Sequence, residues 1–541
     1  MKKQLLTFIT ILMALSASAQ YKAQWTNTLS DNGKIHITYI SALEKGSLIC
    51  GTFQDSIIIN DTRLISEGEK DIFLLQTDSI GQIQNTICLG GKCNDIPTNV
   101  INRNDTIIIG GVSSCLESET GGEIFVRSYD FSYDLKQELL LPFAGDVRLE
   151  MLQVTDSTII LGGSLKGCIS TDEFEIISED FEHSFILNFS DKGKYLTSWQ
   201  SEGTGRHRLR SINTNNDGCI ALLSVSEGSF ISDTLPETTF EKTGIVMLSM
   251  DKHLNTLWLV SAECDGFSEA VDMATTDNGT LLGFNFNGSL TVNNSIFVPS
   301  GTLSSYIAKY DNNGKMCWRT TLGGCYCRLS DIVAADSLAI CTGYYRGIME
   351  INNDTISQSS VRKAFLLSLD DKGDLVWNID IESTYNSFGN AIAYDGEGVT
   401  LSTSILQNKS RNNNGIAKSS DIAQRSAVSR YVISNIIDET DTENTVEEHD
   451  TIFDDDNNCD LSDSFAINVF PNPTKNKVNW SVINGVLTTI EVYDIRGTKI
   501  ETHQCVNQVS GQIDLSVYSN GIYVLRLLSD NGVYYYEIIK N

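Results

Sequence analysis

The sequence predicts an all-β chain: a seven-bladed β-propeller closed by its own N-terminal strand, followed by a small Ig-like β-sandwich. Three observations carry this reading. A unit of four short strands recurs seven times at steps of 52 to 62 residues. The repeat region opens on a lone last-strand segment and ends on a unit that lacks one. The final 78 residues alternate apolar and polar positions around Gly and Asn turns.

The chain begins with Met1-Lys2-Lys3, an apolar run from Leu5 to Leu15, and the small residues Ser16 to Ala19. A short basic region, an apolar core and a small-residue cleavage site make residues 1–19 a signal peptide. That run is too short to span a bilayer, and no later stretch is longer, so no integral membrane segment is expected in the mature form. The 541 residues hold 39 Lys and Arg against 69 Asp and Glu, a net charge of −30. Such a balance excludes nucleic acid, whose phosphates require neutralisation, and anionic membrane surfaces. Export permits disulfides, and thirteen cysteines leave at least one without an intrachain partner. Cys50, Cys219, Cys317 and Cys341 lie in apolar strand segments as small hydrophobes. Cys88 with Cys93, and Cys325 with Cys327, sit close together in loops as disulfides or inert thiols.

Residues 20–435 hold the repeat. In Phe365 to Trp377, two apolar strands flank a turn, and Tyr306 to Trp318 and Phe185 to Trp199 repeat the pattern. The first position recurs at Phe73, Phe125, Phe185, Val246, Tyr306, Phe365 and Ala427. An acidic residue ahead of a turn recurs at Glu44, Asp105, Asp156, Asp217, Asp277, Asp336 and Asp395. A small residue follows at Gly51, Gly110, Gly162, Ser224, Gly283, Gly343 and Ser402. Units of this length, rich in β-branched and aromatic residues and bounded by Asp, Asn and Gly, suit propeller blades. Ala23 to Thr26, with Trp25 matching Trp377, supplies the strand missing after Ala427 to Ile433 and so removes two open sheet edges.

The pattern in Tyr306 to Trp318, Gly323-Gly324 and Asp277-Asn278-Gly279 resembles the SBBP-type bacterial propeller repeats. Two units depart from it: no Gly follows Asp130, and Leu254 replaces the turn Gly. Residues 436–463 are densely acidic and read as a solvated linker. Its Asp454 to Asn458 cluster lacks the Gly and distal Glu of a helical calcium loop. Residues 464–541 resemble the type A C-terminal sorting domain of the type IX (Por) secretion system. The match runs through Pro471, Asn472 and Pro473, then Tyr493, Asp494, Arg496 and Gly497, then Gly521 and Tyr523, to Lys540. The resemblance implies passage through the periplasm, recognition by the type IX machinery, and release or attachment at the cell surface.

In a propeller the connections between blades, and those from second to third strand, share the face where ligands bind. Those loops include Gly90 to Asp95, Gly203 to Arg210, Glu263 to Phe267, Gly323 to Arg328 and Glu382 to Phe388. The basic cluster Arg206, His207, Arg208 and Arg210 is the candidate ligand site, since guanidinium forks suit a carboxylate or sulfate. No Ser-His-Asp set or zinc-binding pair can be assembled from the six histidines, and no cofactor or metal is assigned. The repeating Asp residues belong to turn chemistry. The expectation is a surface-displayed, non-catalytic binder of an extracellular protein or glycan. The alternative is a secreted hydrolase with its acids on the loop face.

Overall fold

In the computed structural model the described residues are 23–30, 35–114, 121–215, 218–232, 236–293, 295–408 and 422–433. In the C-terminal part they are 466–470, 474, 476–483, 487–494, 499–508, 510–519, 521–529 and 532–540. The expected signal peptide and acidic linker, and Asp217, Pro471, Asn472, Pro473, Arg496 and Gly497, lie outside them. The regular elements are all strands, and the chain divides into two compact units, 1–447 and 448–541.

The first unit is a propeller-like succession of antiparallel meanders. Ile35–Leu43, Gly46–Phe53, Asp71–Thr77 and Ile83–Leu89 form the first, in that order. Later meanders follow the same path, and two pairs of them are joined by long shared strands, Leu135–Val154 and Met316–Ala335. Each long strand ends one meander with its first half and starts the next with its second half. The starting strands are Ile35–Leu43, Asn94–Arg103, the end of Leu135–Val154, His207–Thr214, Phe267–Thr276, the end of Met316–Ala335, and Asn386–Tyr394. Each packs against the next, and Asn386–Tyr394 packs back against Ile35–Leu43.

The last meander is completed by the chain's beginning. Trp25–Ser30 pairs with Ile422–Val432, with Trp25 opposite Arg430 and Thr28 opposite Ala427. Arg430 fastens this joint from inside. Its Nε and Nη2 donate to Asp395 at 2.9 and 3.0 Å, and its Nη1 donates to Gln24 Oε1 at 2.5 Å. Trp25 lies over Gly81 in the neighbouring meander and donates its indole N–H to Ser79 O at 3.2 Å. Trp258 covers Gly314 and Trp318 covers Gly373 in the same way, so these three tryptophans each latch a sheet to a neighbouring turn.

Of the acidic row read from spacing, Asp395 caps its own turn, accepting the Glu397 and Gly398 N–H groups at 3.0 and 2.8 Å, and a second set of carboxylates caps the turns that follow the third strands. Asp78, Asp130, Asp251, Asp311 and Asp370 each accept two backbone N–H groups, two and four residues on, at 2.7 to 3.1 Å. Gly81, Gly193, Gly314 and Gly373 then take positive φ. In the two departing units, Tyr133 and Leu254 occupy that place with φ of 63° and 64°. The motif lost its glycine there and kept its geometry. The anchor residues from Phe73 to Ala427 all lie in third strands and are buried.

The small residues do two different jobs. Gly110, Gly162 and Gly283 leave room for Leu152, Ile212 and Leu329 on the next starting strand. Ser224 is displaced by two positions from that role, since Leu222 occupies the equivalent place opposite Ser211. Its hydroxyl instead accepts the Ala270 N–H at 2.8 Å, as Ser164 accepts from Leu209 at 3.0 Å.

In the second unit, Ala466–Phe470, Lys477–Ile483 and Ser510–Asp514 form one sheet. Lys499–Gln508, Leu487–Asp494, Gly521–Ser529 and Gly532–Lys540 form another. Val478, Trp480 and Ile513 from the first share a core with Ile490, Val492, Leu525, Leu527 and Ile538 from the second.

Candidate functional site

Every starting strand carries a β-bulge at the same register. The extra residues are Thr38, Thr98, Glu150, Arg210, Val271, Ser330 and Asn390. A bulge bends the strand and re-aims its side chains, which breaks the alternation that would send every second residue outward. The positions two before the bulge are His36, Ile96, Arg148, Arg208, Glu269, Arg328 and Phe388. These two rows differ from sheet to sheet, and the off-repeat chemistry of the first unit gathers in them.

An ion-pair chain crosses several starting strands. Arg210 lies 3.6 Å from Glu150 and 2.6 Å from Glu269, and Arg328 reaches the other oxygen of Glu269 at 2.5 Å. Glu182 binds Arg206 and Arg208, each at 3.1 Å. The sequence-selected basic cluster is therefore charge-compensated by Glu150, Glu182 and Glu269. His207 faces inward: it is fully buried, bonded to Ser201 Oγ and Ser229 O at 3.0 Å, and stacked on His183 at 4.9 Å. Burial first, and His183 second, push its pKa down to about 4, so it is neutral at pH 7. Arg210 Nε remains without an acceptor among the described residues.

Just past the bulge, Asp272 and Asp331 hydrogen-bond to each other from adjacent starting strands. Asp331 also accepts the N–H groups of Ile332 at 2.8 Å and Ile392 at 2.7 Å. Burial raises both carboxyls above the usual range, and the neighbouring Asp272 charge raises Asp331 further. The Tyr39 phenol is raised as well, by burial and then by these two carboxylates. All three residues are half-buried. Two carboxyls in direct contact share a proton. Glycoside cleavage needs carboxyls about 5 Å or more apart, with the sugar between them.

A third grouping lies between the last two meanders. Tyr326 pairs with Arg346, and Arg328 with Tyr344, so the four share one sheet face. The Tyr326 and Tyr344 rings stack at 5.9 Å, and Phe388 meets Tyr344 edge-on at 4.7 Å. Arg362 lies over the Phe388 ring at 5.9 Å. Burial lifts the Tyr326 phenol to about 12, against the pull of nearby Arg328 and Arg362. The loops Gly323 to Arg328 and Glu382 to Phe388 pointed here from sequence, whereas Tyr344, Arg346 and Arg362 were missed. A signal existed: opposite the second position before the bulge, the other sheets carry Thr52, Val112, Ser164, Ser224, Asn285 and Ser404, where this one has Tyr344.

The cysteine expectations resolve in part. Cys93 is disulfide-bonded while neighbouring Cys88 is not, and Cys325 and Cys327 are not joined to each other. Among the described residues no cluster of three or more His, Cys, Asp or Glu is placed to hold a metal.

In the second unit, Glu491 gathers the sorting-motif strands. It accepts from Tyr493 OH at 2.8 Å, Lys499 Nζ at 3.0 Å and Arg526 Nη1 at 2.6 Å. Those bonds, Lys499 first, hold its pKa at about 2. Tyr523 OH donates to Ser519 O at 2.6 Å, and Lys540 pairs with Gly521 across the last two strands.

The first unit is thus an all-β, propeller-like array with ion pairs running across its starting strands, and the second is a two-sheet β domain. Residues 468–541 match the family of secretion system C-terminal sorting domains. The chain is accordingly a type IX cargo, delivered to the cell surface or beyond, and no helix among the described residues is long and apolar enough to cross a membrane. No curated protein matches the sequence significantly. Among solved structures, it is similar to the subtype N10 neuraminidase-like protein of A/little yellow-shouldered bat/Guatemala/060/2010 at 10% identity, covering 76% of this chain and all 100% of that one, with TM-score 0.32. Phage phi92 endosialidase gives 9% identity, 81% and 72% coverage and a TM-score of 0.33. The extracellular region of plexin A4 gives 10%, 95% and 61%, with 0.37. Likeness at this level transfers no activity.

Proposed function

We propose that the first unit is a seven-bladed β-propeller, made of residues 20–435, which acts after export as a non-catalytic binder of an extracellular macromolecule or glycan. Residues 1–19 are its signal peptide, and the second unit is an Ig-like sandwich that presents it to the type IX machinery. The packing of each starting strand on the next, and of the last on the first, supports the blade count. The binding reading rests on one observation: residues that break the repeat collect at the loop-face ends of the starting strands, as charge pairs and aromatic rings. The hydrolase alternative draws on Asp272 and Asp331, which bond to each other rather than standing apart across a substrate.

The test is a hydrolysis screen of the full-length chain against polysaccharide, ester and peptide substrates, beside the Asp331→Asn variant. The expected result is no turnover by either. Turnover that vanishes in Asp331→Asn, with the melting temperature maintained, overturns the non-catalytic reading.

A further inference from the structure

The grouping between the last two meanders holds three guanidinium groups and three aromatic rings in a protein of net charge −30. Arg328 has Glu269 as partner, while Arg346 stands opposite Tyr326 and Arg362 lies over the Phe388 ring. Arg346 is half-buried and Arg362 exposed, so both guanidinium groups are open to an anion arriving from solution. The rings sharpen its identity. Tyr326, Tyr344 and Phe388 are partly exposed, offering apolar faces beside polar tips. Such faces receive the C–H face of a pyranose, while guanidinium forks bind a carboxylate or sulfate in two hydrogen bonds.

We propose that Tyr326, Arg328, Tyr344, Arg346, Arg362 and Phe388 form a subsite for an acidic polysaccharide, one whose sugar residues carry a carboxylate or sulfate. This rests on the loop-face binding reading and names its ligand class. Position supports it independently: all six lie at the end where starting strands begin and second strands finish, the end facing the inter-blade loops. Tyr344 also breaks the run of mostly small or polar residues at its place in the other sheets. A residue kept in every repeat maintains the scaffold; one that departs from it in a single sheet is free to serve a ligand.

The experiment is calorimetric titration of the full-length chain with four probes: polygalacturonate, dextran sulfate, dextran and poly-L-glutamate. Arg346→Gln, Arg362→Gln and Tyr326→Ala are measured alongside, with Tyr326→Leu in reserve if the alanine variant fails to fold. At least one acidic polysaccharide is expected to bind, more weakly as salt rises. Each substitution is expected to weaken it about tenfold or more, consistent with losing one charge-assisted or stacking contact. Binding to polygalacturonate alone assigns a carboxylate, and to dextran sulfate alone a sulfate. The proposal falls if neither binds, or if poly-L-glutamate binds as tightly and the tyrosine substitution has no effect. Dextran binding untouched by all the substitutions sinks this subsite but leaves a binding propeller standing. Cleavage of any probe sinks the broader reading instead.

Discussion

Asp331 bonds to two backbone N–H groups and to a second carboxyl, Asp272, in the interior of the first unit. Its pKa is raised on folding, so the folded chain holds this proton more tightly than the unfolded one. The resulting stability is full below the unfolded carboxylate pKa of about 4 and is lost as pH rises through the folded value. Asp331→Asn keeps an acceptor for one N–H and offers Asp272 a permanent donor. At pH 7 and above it is expected to stabilise by on the order of 1 kcal/mol, an advantage that shrinks toward pH 4. Melting temperatures across that range check the slope, and an equal shift at every pH would contradict it. His207 works in the opposite sense. Its folded pKa is depressed to about 4 by burial, so the stability it contributes is present above about 6.5 and lost as pH falls toward 4. His207→Gln is expected to melt lower at neutral pH, with less further loss on acidification.

The N-terminal strand is held by a few identifiable contacts. Arg430 and Asp395 are both buried, and Arg430 alone also reaches Gln24. Arg430→Ala strands a buried carboxylate and is expected to cost about 3–5 kcal/mol, seen as a lower urea midpoint. Gly314→Ala should cost more than an ordinary surface change, because φ is +77° there and a Cβ would lie 2.8 Å from the Trp258 ring. Gly396→Ala, at φ +93° with open space around it, separates the backbone part from the steric part. At this scale the sequence was most legible where one residue does one local job. Buried third-strand anchors and the Trp25 pairing could be read from spacing, as could the Asp395 turn cap, whereas the rest of the acidic row did not mark the carboxylates that cap the turns after the third strands. The bulges could not be read, because a bulge exists only relative to a partner strand, and the repeat spacing is the same with or without one. Ser224 was misplaced for the same reason: smallness marks both a packing gap and a bulge cap, and only pairing tells them apart. Arg206 to Arg210 stood out as a basic run, yet Glu150, Glu182 and Glu269 come from other segments and already compensate it.

The whole chain couples two β units with separate cores, one that carries the candidate ligand surface and one that carries the export address. Separate cores imply separable unfolding, so a destabilising change in one unit should leave the other's transition in place. Glu491 makes the sharpest test. Tyr493, Lys499 and Arg526 converge on it, and all three belong to the second unit. Glu491→Leu removes the shared acceptor and leaves two cations side by side on one sheet. Calorimetry of the full-length variant is expected to show the second unit's transition lowered by several degrees and the first unit's unchanged. In cells the same variant, like a chain lacking 468–541, is expected to lose exposure to protease added outside while total protein stays comparable. If the variant melts as expected yet reaches the surface normally, the machinery reads features away from the Glu491 strands. If both transitions drop together, the two units are not independent, and the division of labour between surface and address fails.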